Sequence, residues 1–247
     1  MKKTKCIAII CALNKEVEAV IQMLGEVTLI EIDGFLFYEG NFNGKKIILC
    51  ECGIGKVNAA ILTTLIIREF KPDYLINSGV AGGYNRNLKP LDVVIGQRMF
   101  YYDVQLEPGR TDIRYGQLQG EPFIFPSSDE LIEILKASDD KLKVGDVATA
   151  DCFQTNRVYM DELVEKYFSD LNILAVDMES TAVAHVCYKF KIPFVVIRSI
   201  SDVIGVNQEQ VYDNFLERAC HNSSAAVRVL LEKIWFWKGE RKSFTFF

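Results

Sequence analysis

The chain has 247 residues, of which 49% are apolar and 25% charged, and its 28 basic and 33 acidic residues give a formal charge of -5. This composition is typical of a globular protein and excludes collagen-like and disordered chains. The acidic balance, without a block of lysine or arginine, argues against nucleic-acid and membrane-surface partners. No uncharged stretch reaches the roughly 18 residues that a membrane-spanning helix requires.

Seven cysteines and two histidines bear on compartment and metal binding. The cysteines form an odd set without a C-x-x-C pair and lie mostly in apolar runs, so we expect free thiols in a reducing, cytoplasmic compartment. His185 and His221 have neither an H-E-x-x-H pattern nor clustered cysteine partners. The sequence therefore predicts no metal site.

The first predicted elements are a buried strand over 6–13 and a helix that ends at Gly25, a typical C-terminal glycine. Short β-type runs over 28–52 are interrupted by Asp-Gly at 33–34 and Asn-Gly at 43–44. Both dipeptides favour tight turns, so this region is predicted to be an antiparallel meander.

The next predicted element is a helix over 57–67, which is too evenly apolar for a surface helix and is expected in the middle of the fold until Lys71-Pro72 ends it. Further buried strands are predicted at 74–77, 92–97, 144–150, 173–176 and 194–200. Further helices are predicted from a capping box at 127–130 to Ala137, at 180–190 and at 209–236. This alternation predicts an α/β fold with a largely parallel sheet.

Three carboxylates follow predicted strands, at the sheet edge where ligands usually bind. Asp202, Glu179 and Glu16 each also have an ordinary structural explanation: turn capping, a favourable helix dipole and a solvated first helical turn. Carboxylates from separate strand ends can nevertheless converge on one pocket and differ in protonation state there. The glycine-rich segments match no nucleotide-binding fingerprint.

Four strings carry a family resemblance: Cys-Gly-Ile-Gly-Lys-Val-Asn-Ala-Ala at 52–60, Ile-Asn-Ser-Gly-Val-Ala-Gly-Gly at 76–83, Val-Asp-Met-Glu-Ser-Thr-Ala at 176–182 and Arg-Ser-Ile-Ser-Asp at 198–202. In this order they resemble the 5′-methylthioadenosine/S-adenosylhomocysteine nucleosidases of the nucleoside phosphorylase superfamily. The resemblance implies a single-domain three-layer α/β/α sandwich with a mixed central sheet over residues 1–236, followed by a short aromatic and basic tail at 237–247.

The resemblance also implies an activity in methionine salvage. Family members are homodimers that hydrolyse the bond between adenine and a 5′-thio-substituted ribose, without a metal or organic cofactor. Asp202 matches the acid that protonates adenine N7, with Ser201 orienting its carboxyl group. Glu16 matches the base that activates water and must stay ionised, and Arg198 resembles the neighbour that keeps that region charged. Glu179 corresponds to the carboxylate that accepts hydrogen bonds from both ribose hydroxyls.

The same resemblance assigns the walls of the pocket. Phe153 would stack on adenine, Met178 would pack on the ribose, and the backbone at Gln154 would read the purine edge. Three further residues fit an apolar pocket for the 5′-alkylthio group: Leu13, Ile54 and Tyr212. In the family the neighbouring subunit closes this pocket with the segment that matches 103–122.

The chain departs from the family pattern near this pocket. Val80 stands where many members have a serine beside the catalytic water, and Tyr102 stands where relatives often carry histidine. The segment 105–113 has no good match. These departures leave open the preferred adenine nucleoside, which could be methylthioadenosine, adenosylhomocysteine, 5′-deoxyadenosine or a futalosine-type substrate.

Two alternatives to a hydrolase remain at this point. A phosphate-dependent purine nucleoside phosphorylase would gather arginines around the anion, whereas Glu16 beside Lys15, together with Val80, makes a poor anion pocket. A silent nucleoside-binding or storage protein of the same fold would lack the acid or the base. Because both carboxylates are present, hydrolysis is favoured.

Overall fold

The computed structural model of the protein describes residues 5–105, 112–205 and 208–234. The strands are β1 Cys6–Cys11, β2 Val27–Ile32, β3 Phe35–Phe42, β4 Lys45–Glu51, β5 Tyr74–Gly83, β6 Val93–Tyr101, β7 Phe125–Pro126, β8 Lys143–Thr149, β9 Ile173–Asp177 and β10 Phe194–Val203. The helices are α1 Asn14–Leu24, α2 Lys56–Phe70, α3 Asp129–Lys136, α4 Arg157–Tyr167, α5 Ser180–Phe190 and α6 Gln208–Lys233. The predicted tail at 237–247 and most of the unmatched segment 105–113 lie outside these ranges.

The antiparallel meander of the sequence analysis is confirmed by the pairing of β2 with β3 and of β3 with β4. Both turns have the left-handed backbone that two-residue hairpins favour, with φ of 52° and 80° at Asp33 and Gly34 and of 50° and 77° at Asn43 and Gly44. β4 then pairs in parallel with β1, which joins the meander to the rest of the sheet.

The remaining strands close on themselves at the other end of the sheet. β10 pairs in parallel with β5 and antiparallel with β6, and β6 pairs in parallel with β8. β8 pairs in parallel with β9, whose last residues pair antiparallel with Gly82 and Gly83 of β5. Five strands thus form a closed ring. The predicted mixed sheet is confirmed, but it is less parallel than expected, because β10 with β6 and β5 with β9 also pair antiparallel outside the meander.

Helices cover both faces of the sheet, as alternate residues of β1 show. Ile7 and Ile9 belong to a core that includes buried residues of α1, α3 and α6. Ala8 and Ile10 point to the opposite core, which includes buried residues of α2 and α5. The three-layer α/β/α sandwich is therefore confirmed.

The prediction that α2 is buried on all sides is wrong. Ala59, Leu62 and Ile66 pack on the sheet, but Val57 is 69% and Ile61 43% exposed. The helix lies in an outer layer, where only one face can contact the sheet, so its second apolar face is left on the surface of the single chain.

Two other helices differ from expectation in detail. α3 has the predicted extent but no capping box, because the Ser127 hydroxyl donates to the Gly96 carbonyl at 2.6 Å and Ser128 makes no side-chain cap. α4 was not predicted at all, although the Asn156 side chain caps it by accepting the Tyr159 N–H. Of the helices in the described part of the chain, none is long and apolar enough to cross a membrane.

Candidate active site

An open cavity lies at the carboxyl ends of β1, β5, β9 and β10, where the strand ring meets the start of α1; its space, with the solvent-exposed mouth included, is about 600 Å³. Eleven of the twelve predicted site residues line it: Leu13, Glu16, Ile54, Val80, Phe153, Gln154, Met178, Glu179, Ser201, Asp202 and Tyr212. The twelfth, Arg198, is fully buried behind this lining. The structure therefore brings together the strand-end carboxylates that the sequence analysis singled out.

Glu16 is a buried carboxylate, with only 3% of the residue exposed. The ordinary explanation, a solvated glutamate in the first turn of a helix, therefore does not apply. Its Oε2 accepts the N–H groups of Ala12 and Leu13 at 2.8 and 3.0 Å, and its Oε1 accepts the Val80 N–H at 2.8 Å. Burial raises the pKa of Glu16, while Arg198 and the three amide donors oppose that rise. The family resemblance implies that Glu16 is ionised. The raised pKa adds that its carboxylate binds a proton more readily than an ordinary glutamate does.

Arg198 crosses the floor of the site and holds a buried polar network. Its Nε donates to Asp177 Oδ2 at 2.9 Å, and its Nη2 donates to Asn77 Oδ1 at 2.7 Å. Burial acts to lower the pKa of Arg198, but Asp177, Glu179 and Glu16 raise it above its ordinary value. Its buried Nη1 has no hydrogen-bond partner within the described ranges. One charged donor therefore remains available on the Glu16 side.

Gly79 makes the approach of Glu16 and Arg198 possible. A Cβ at this position would lie 2.4 Å from both Arg198 Nη1 and Glu16 Oε1. Real Cβ contacts are never that short, so any side chain here would displace the guanidinium, the carboxylate or both. Gly79 thus serves the close packing of two charged groups.

Glu179 lies between β9 and α5, as predicted. Its carboxylate is held by a specific hydrogen bond and not by the helix dipole alone. Its Oε1 accepts the N–H of Gly55 at 2.9 Å, and its Oε2 lies 3.8 Å from Arg198 Nη2. Burial, followed by the charge of Asp177, raises the pKa of Glu179 to about 7, against the opposing effect of Arg198.

Asp202 reaches the cavity through an irregularity in β10. The pairing register with β5 shifts between Ile200 and Asp202, which is a β-bulge at Ser201. Consequently both Ser201 and Asp202 line the cavity, and the Ser201 hydroxyl donates to Asp202 Oδ1 at 2.7 Å. Only 1% of Asp202 is exposed, so its carboxyl group is shielded from solvent.

The remaining walls are apolar and more open. Phe153 is 50% exposed and contacts Tyr212 edge-on, with the ring centroids 5.7 Å apart. Ile54 is 53% exposed, whereas Leu13 and Met178 are half-buried. Large apolar side chains rarely remain this exposed at a cavity unless a ligand or another chain covers them.

Sequence reasoning missed part of the site. The sequence analysis includes Asp177 only in the family string at 176–182, without a role, yet it lines the cavity and accepts from Arg198, Thr149 and Ser180. Its position directly after a buried run was the available signal. Cys152 also lines the cavity and is an exposed free thiol.

The charge of the lining indicates which ligands fit. Glu16, Asp177, Glu179 and Asp202 all line the cavity, and no lysine or arginine from the described part of the chain does. Within the same ranges, no group of three or more His, Cys, Asp or Glu side chains is placed to hold a metal ion. A ligand without a negative charge, rich in hydroxyl and amine donors, suits this lining best.

Comparison with known proteins assigns this architecture to a family. The model of the phosphorylase superfamily matches residues 6–234. A 5′-methylthioadenosine/S-adenosylhomocysteine nucleosidase of Bacillus subtilis (strain 168) is 39% identical over 233 residues, covering 92% of this chain and 99% of the relative. The same nucleosidase from Marinomonas sp. (strain MWYL1) is 38% identical, covering 92% of this chain and 98% of the relative.

Solved structures agree with the sequence comparison. The nucleosidase of Colwellia psychrerythraea 34H in complex with adenine superimposes with a TM-score of 0.87 at 32% identity, covering 94% of this chain and 96% of that one. A futalosine hydrolase of Helicobacter pylori gives a TM-score of 0.87 at 28% identity, covering 93% and 98%. The chain belongs to the 5′-methylthioadenosine/S-adenosylhomocysteine nucleosidase family of the phosphorylase superfamily.

Proposed function

We propose that the protein hydrolyses the N-glycosidic bond of 5′-methylthioadenosine, S-adenosylhomocysteine or both, releasing adenine and the 5′-thio-substituted ribose. The observation that carries this proposal is the convergence of Glu16, Glu179 and Asp202 on one cavity, each almost fully buried in a different polar setting. This activity belongs to methionine salvage and to the recycling of adenosylmethionine by-products.

Asp202 is the proposed general acid. Adenine leaves poorly as an anion, so protonation at N7 by a nearby carboxylic acid lowers the barrier to cleavage. The Ser201 hydroxyl, which donates to Asp202 Oδ1 at 2.7 Å, orients the carboxyl group.

Glu16 is the proposed general base. Its raised pKa makes the ionised carboxylate a better proton acceptor for an attacking water. Arg198, whose buried Nη1 lies on the Glu16 side of the site, stabilises the ionised base by its charge. Val80 contributes its backbone N–H to Glu16 but no hydroxyl, so its side chain gives the water no hydrogen bond.

Glu179 and the apolar walls are proposed to hold the nucleoside. Glu179 accepts from the ribose hydroxyls, Met178 packs on the sugar, Phe153 stacks on adenine, and the Gln154 backbone contacts the purine edge. The 5′-alkylthio group then lies among three apolar side chains of the lining, those of Leu13, Ile54 and Tyr212.

Hydrolysis is favoured over phosphorolysis by the charge of the cavity. A phosphate dianion would meet Glu16 and the other lining carboxylates, and the described lining offers it no cationic side chain except the buried Arg198 behind it. Water carries no such penalty. The likeness to a futalosine hydrolase keeps that nucleoside as the second substrate to test.

A homodimer in the cytoplasm is part of the proposal. Ile54, Val57 and Ile61 form an exposed apolar strip at the start of α2, and Ile54 continues it into the cavity. A second copy that covers this strip would close the open wall of the site. All seven cysteines are free, which fits a reducing compartment.

The test is to incubate the purified protein with 5′-methylthioadenosine, with and without phosphate, and to identify the sugar product by mass spectrometry. We expect adenine and free methylthioribose in both reactions. A sugar phosphate that forms only with phosphate would make the protein a phosphorylase. Parallel reactions with adenosylhomocysteine, 5′-deoxyadenosine and futalosine rank the substrates, and turnover of none of the four would contradict the proposed hydrolase.

A further inference from the structure

Lys56, the first residue of α2, connects three segments around the adenine side of the cavity. Its Nζ lies 2.7 Å from Asp103 Oδ2 and 3.6 Å from Asp151 Oδ2. The same Asp103 oxygen accepts the Asp151 N–H at 3.0 Å, and Asp151 Oδ1 accepts the Lys56 N–H at 2.8 Å. These three side chains form a closed polar cluster, which we call the lysine cluster.

The lysine cluster is continuous with the ribose-facing carboxylate through the N-terminus of α2. The consecutive N–H groups of Gly55 and Lys56 donate to Glu179 and Asp151, respectively. Gly55 has a φ of 99°, and a Cβ there would lie 3.2 Å from Asp151 Oδ1, so a side chain would crowd this junction. One helix end therefore fixes both Glu179 and Asp151, the first residue of the loop that carries Phe153.

The purine loop, residues 151–154, depends on such an anchor because burial does little to hold its first three residues. Phe153 is half exposed, and Cys152 is exposed as well. At the far end of the loop the Gln154 side chain accepts the Asn156 N–H. The contacts of Asp151 with Lys56 and Asp103 hold the end nearer β8.

We propose that Lys56, Asp103 and Asp151 are positioning residues that set the distance between the aromatic platform of Phe153 and the carboxylate of Glu179, and hence the affinity for the adenine nucleoside. This inference rests on the proposed function for its substrate. It concerns binding and not proton transfer, since the described hydrogen bonds and ion pairs of the lysine cluster join its own members and the helix end that holds Glu179.

The physical reason is that the lysine cluster is partly shielded from water. The side chains of Lys56 and Asp103 are only 22% and 30% exposed, so their ion pair is screened less than an open surface pair. Removing the cation leaves two carboxylates close together, which repel each other and push the purine loop away from α2. Binding suffers more than the chemical step, because bound substrate still meets the same acid and base.

The test compares Lys56→Met with the matched control Lys46→Met. Lys46 also makes a short ion pair, 2.6 Å to Glu39. It lies over the ring of Phe70 at 5.8 Å, as Lys56 lies over the ring of Tyr101 at 5.4 Å. For Lys56→Met we expect KM for methylthioadenosine and Kd for free adenine to rise about tenfold, with kcat within about threefold of wild type. Lys56→Arg is expected to recover most of the loss, and Lys46→Met to change neither constant.

A second variant separates positioning from a general loss of structure. Asp103→Asn keeps an acceptor for the Asp151 N–H but loses the charge. Alone it should weaken adenine binding, whereas in the Lys56→Met background it should recover part of the loss, because it removes the repulsion between the two carboxylates. An unchanged adenine Kd in Lys56→Met, or a kcat loss as large as the KM rise, would overturn the inference. Calorimetry with adenine needs no turnover, so an inactive wild-type protein would refute the proposed function while leaving this measurement intact.

Discussion

The two walls of the cavity are built on different principles. On one wall Glu16, Glu179 and Asp202 are each at most 5% exposed and receive hydrogen bonds from backbone amides or from a neighbouring hydroxyl. On the other, Ile54 and Phe153 are 53% and 50% exposed. The single chain thus completes the charged wall by itself, whereas the apolar wall leaves surface for a ligand or a second copy to cover.

This contrast predicts that Glu16 and Asp202 of the charged wall govern the chemical step and that Glu179 of the same wall holds the ribose. The apolar wall then governs the remaining affinity and the assembly. Charged groups in a buried setting need fixed partners, because an unpaired buried charge is strongly destabilising. Apolar side chains are stabilised by any apolar surface that covers them, and a bound molecule can supply that surface as well as the protein can. Three variants test the contrast, in order of decreasing expected effect.

Asp202→Asn should have the largest effect. The amide keeps the shape and the Ser201 contact but cannot donate the proton, so kcat should fall by a factor of about 10²–10⁴ with little change in substrate binding. Single-turnover kinetics and calorimetry with methylthioadenosine measure the two quantities separately. Near-normal turnover would remove Asp202 from the role of general acid.

Glu179→Gln should lower kcat/KM by about ten- to a hundredfold, because hydrogen bonds to a charged acceptor contribute about 1.5–3 kcal/mol. In the wild type, kcat/KM should rise with pH through about 7, as the free protein loses the Glu179 proton. The variant should lose the part of this rise that belongs to Glu179. Glu133→Gln, an exposed site on α3, serves as the control.

Glu179→Gln should also change how the stability of the protein depends on pH. Burial raises the pKa of Glu179 from 4.5 to about 7, so the unfolded chain ionises at lower pH than the folded one. Its contribution to the free energy of unfolding is therefore full below pH 4.5 and is lost as pH rises to about 7. The Tm of Glu179→Gln relative to wild type should increase between pH 5 and 8, and a constant difference would contradict the assigned shift.

Val57→Glu should have the smallest effect on chemistry and act on assembly. A charge in the exposed strip of α2 should raise the dimer dissociation constant by about tenfold or more, because the interface would bury it unpaired. Val158→Glu on α4 is a matched control, since Val158 is 67% and Val57 69% exposed. Analytical ultracentrifugation that finds a wild-type monomer, or equal dissociation of both variants, would place the dimer face elsewhere.

Much of the fold could be predicted because local signals agree with it. The Asp-Gly and Asn-Gly turns at 33–34 and 43–44 fix the meander, and apolar runs locate the buried strands. α4 gives no such signal, since among its eleven residues only Met160 and Leu163 are buried. The closed strand ring could not be predicted from the sequence either, because its closure depends on how β5, β9 and β10 twist towards one another.

The candidate site also has residues that could be predicted from the sequence and features that could not. Strand-end position and motif resemblance were sufficient to find Glu16, Glu179 and Asp202. They could not reveal that a bulge at Ser201 turns Asp202 into the cavity or that Gly79 admits two charged groups, because both depend on pairing between distant segments. The contact of Lys56 with Asp151 is likewise non-local, spanning 95 positions of the chain.

The closed strand ring has a consequence for the order in which the protein acquires its site. The ring is completed only when β10 joins β5, whose paired residues lie about 120 positions apart, and Glu16 and Asp202 belong to segments still further apart along the chain. Contacts of such long range form late, because a large loop must close before they contribute. A nascent chain on the ribosome therefore carries Glu16 long before it has a pocket, and competence to bind the nucleoside arises in a single late step, after residue 203 has emerged.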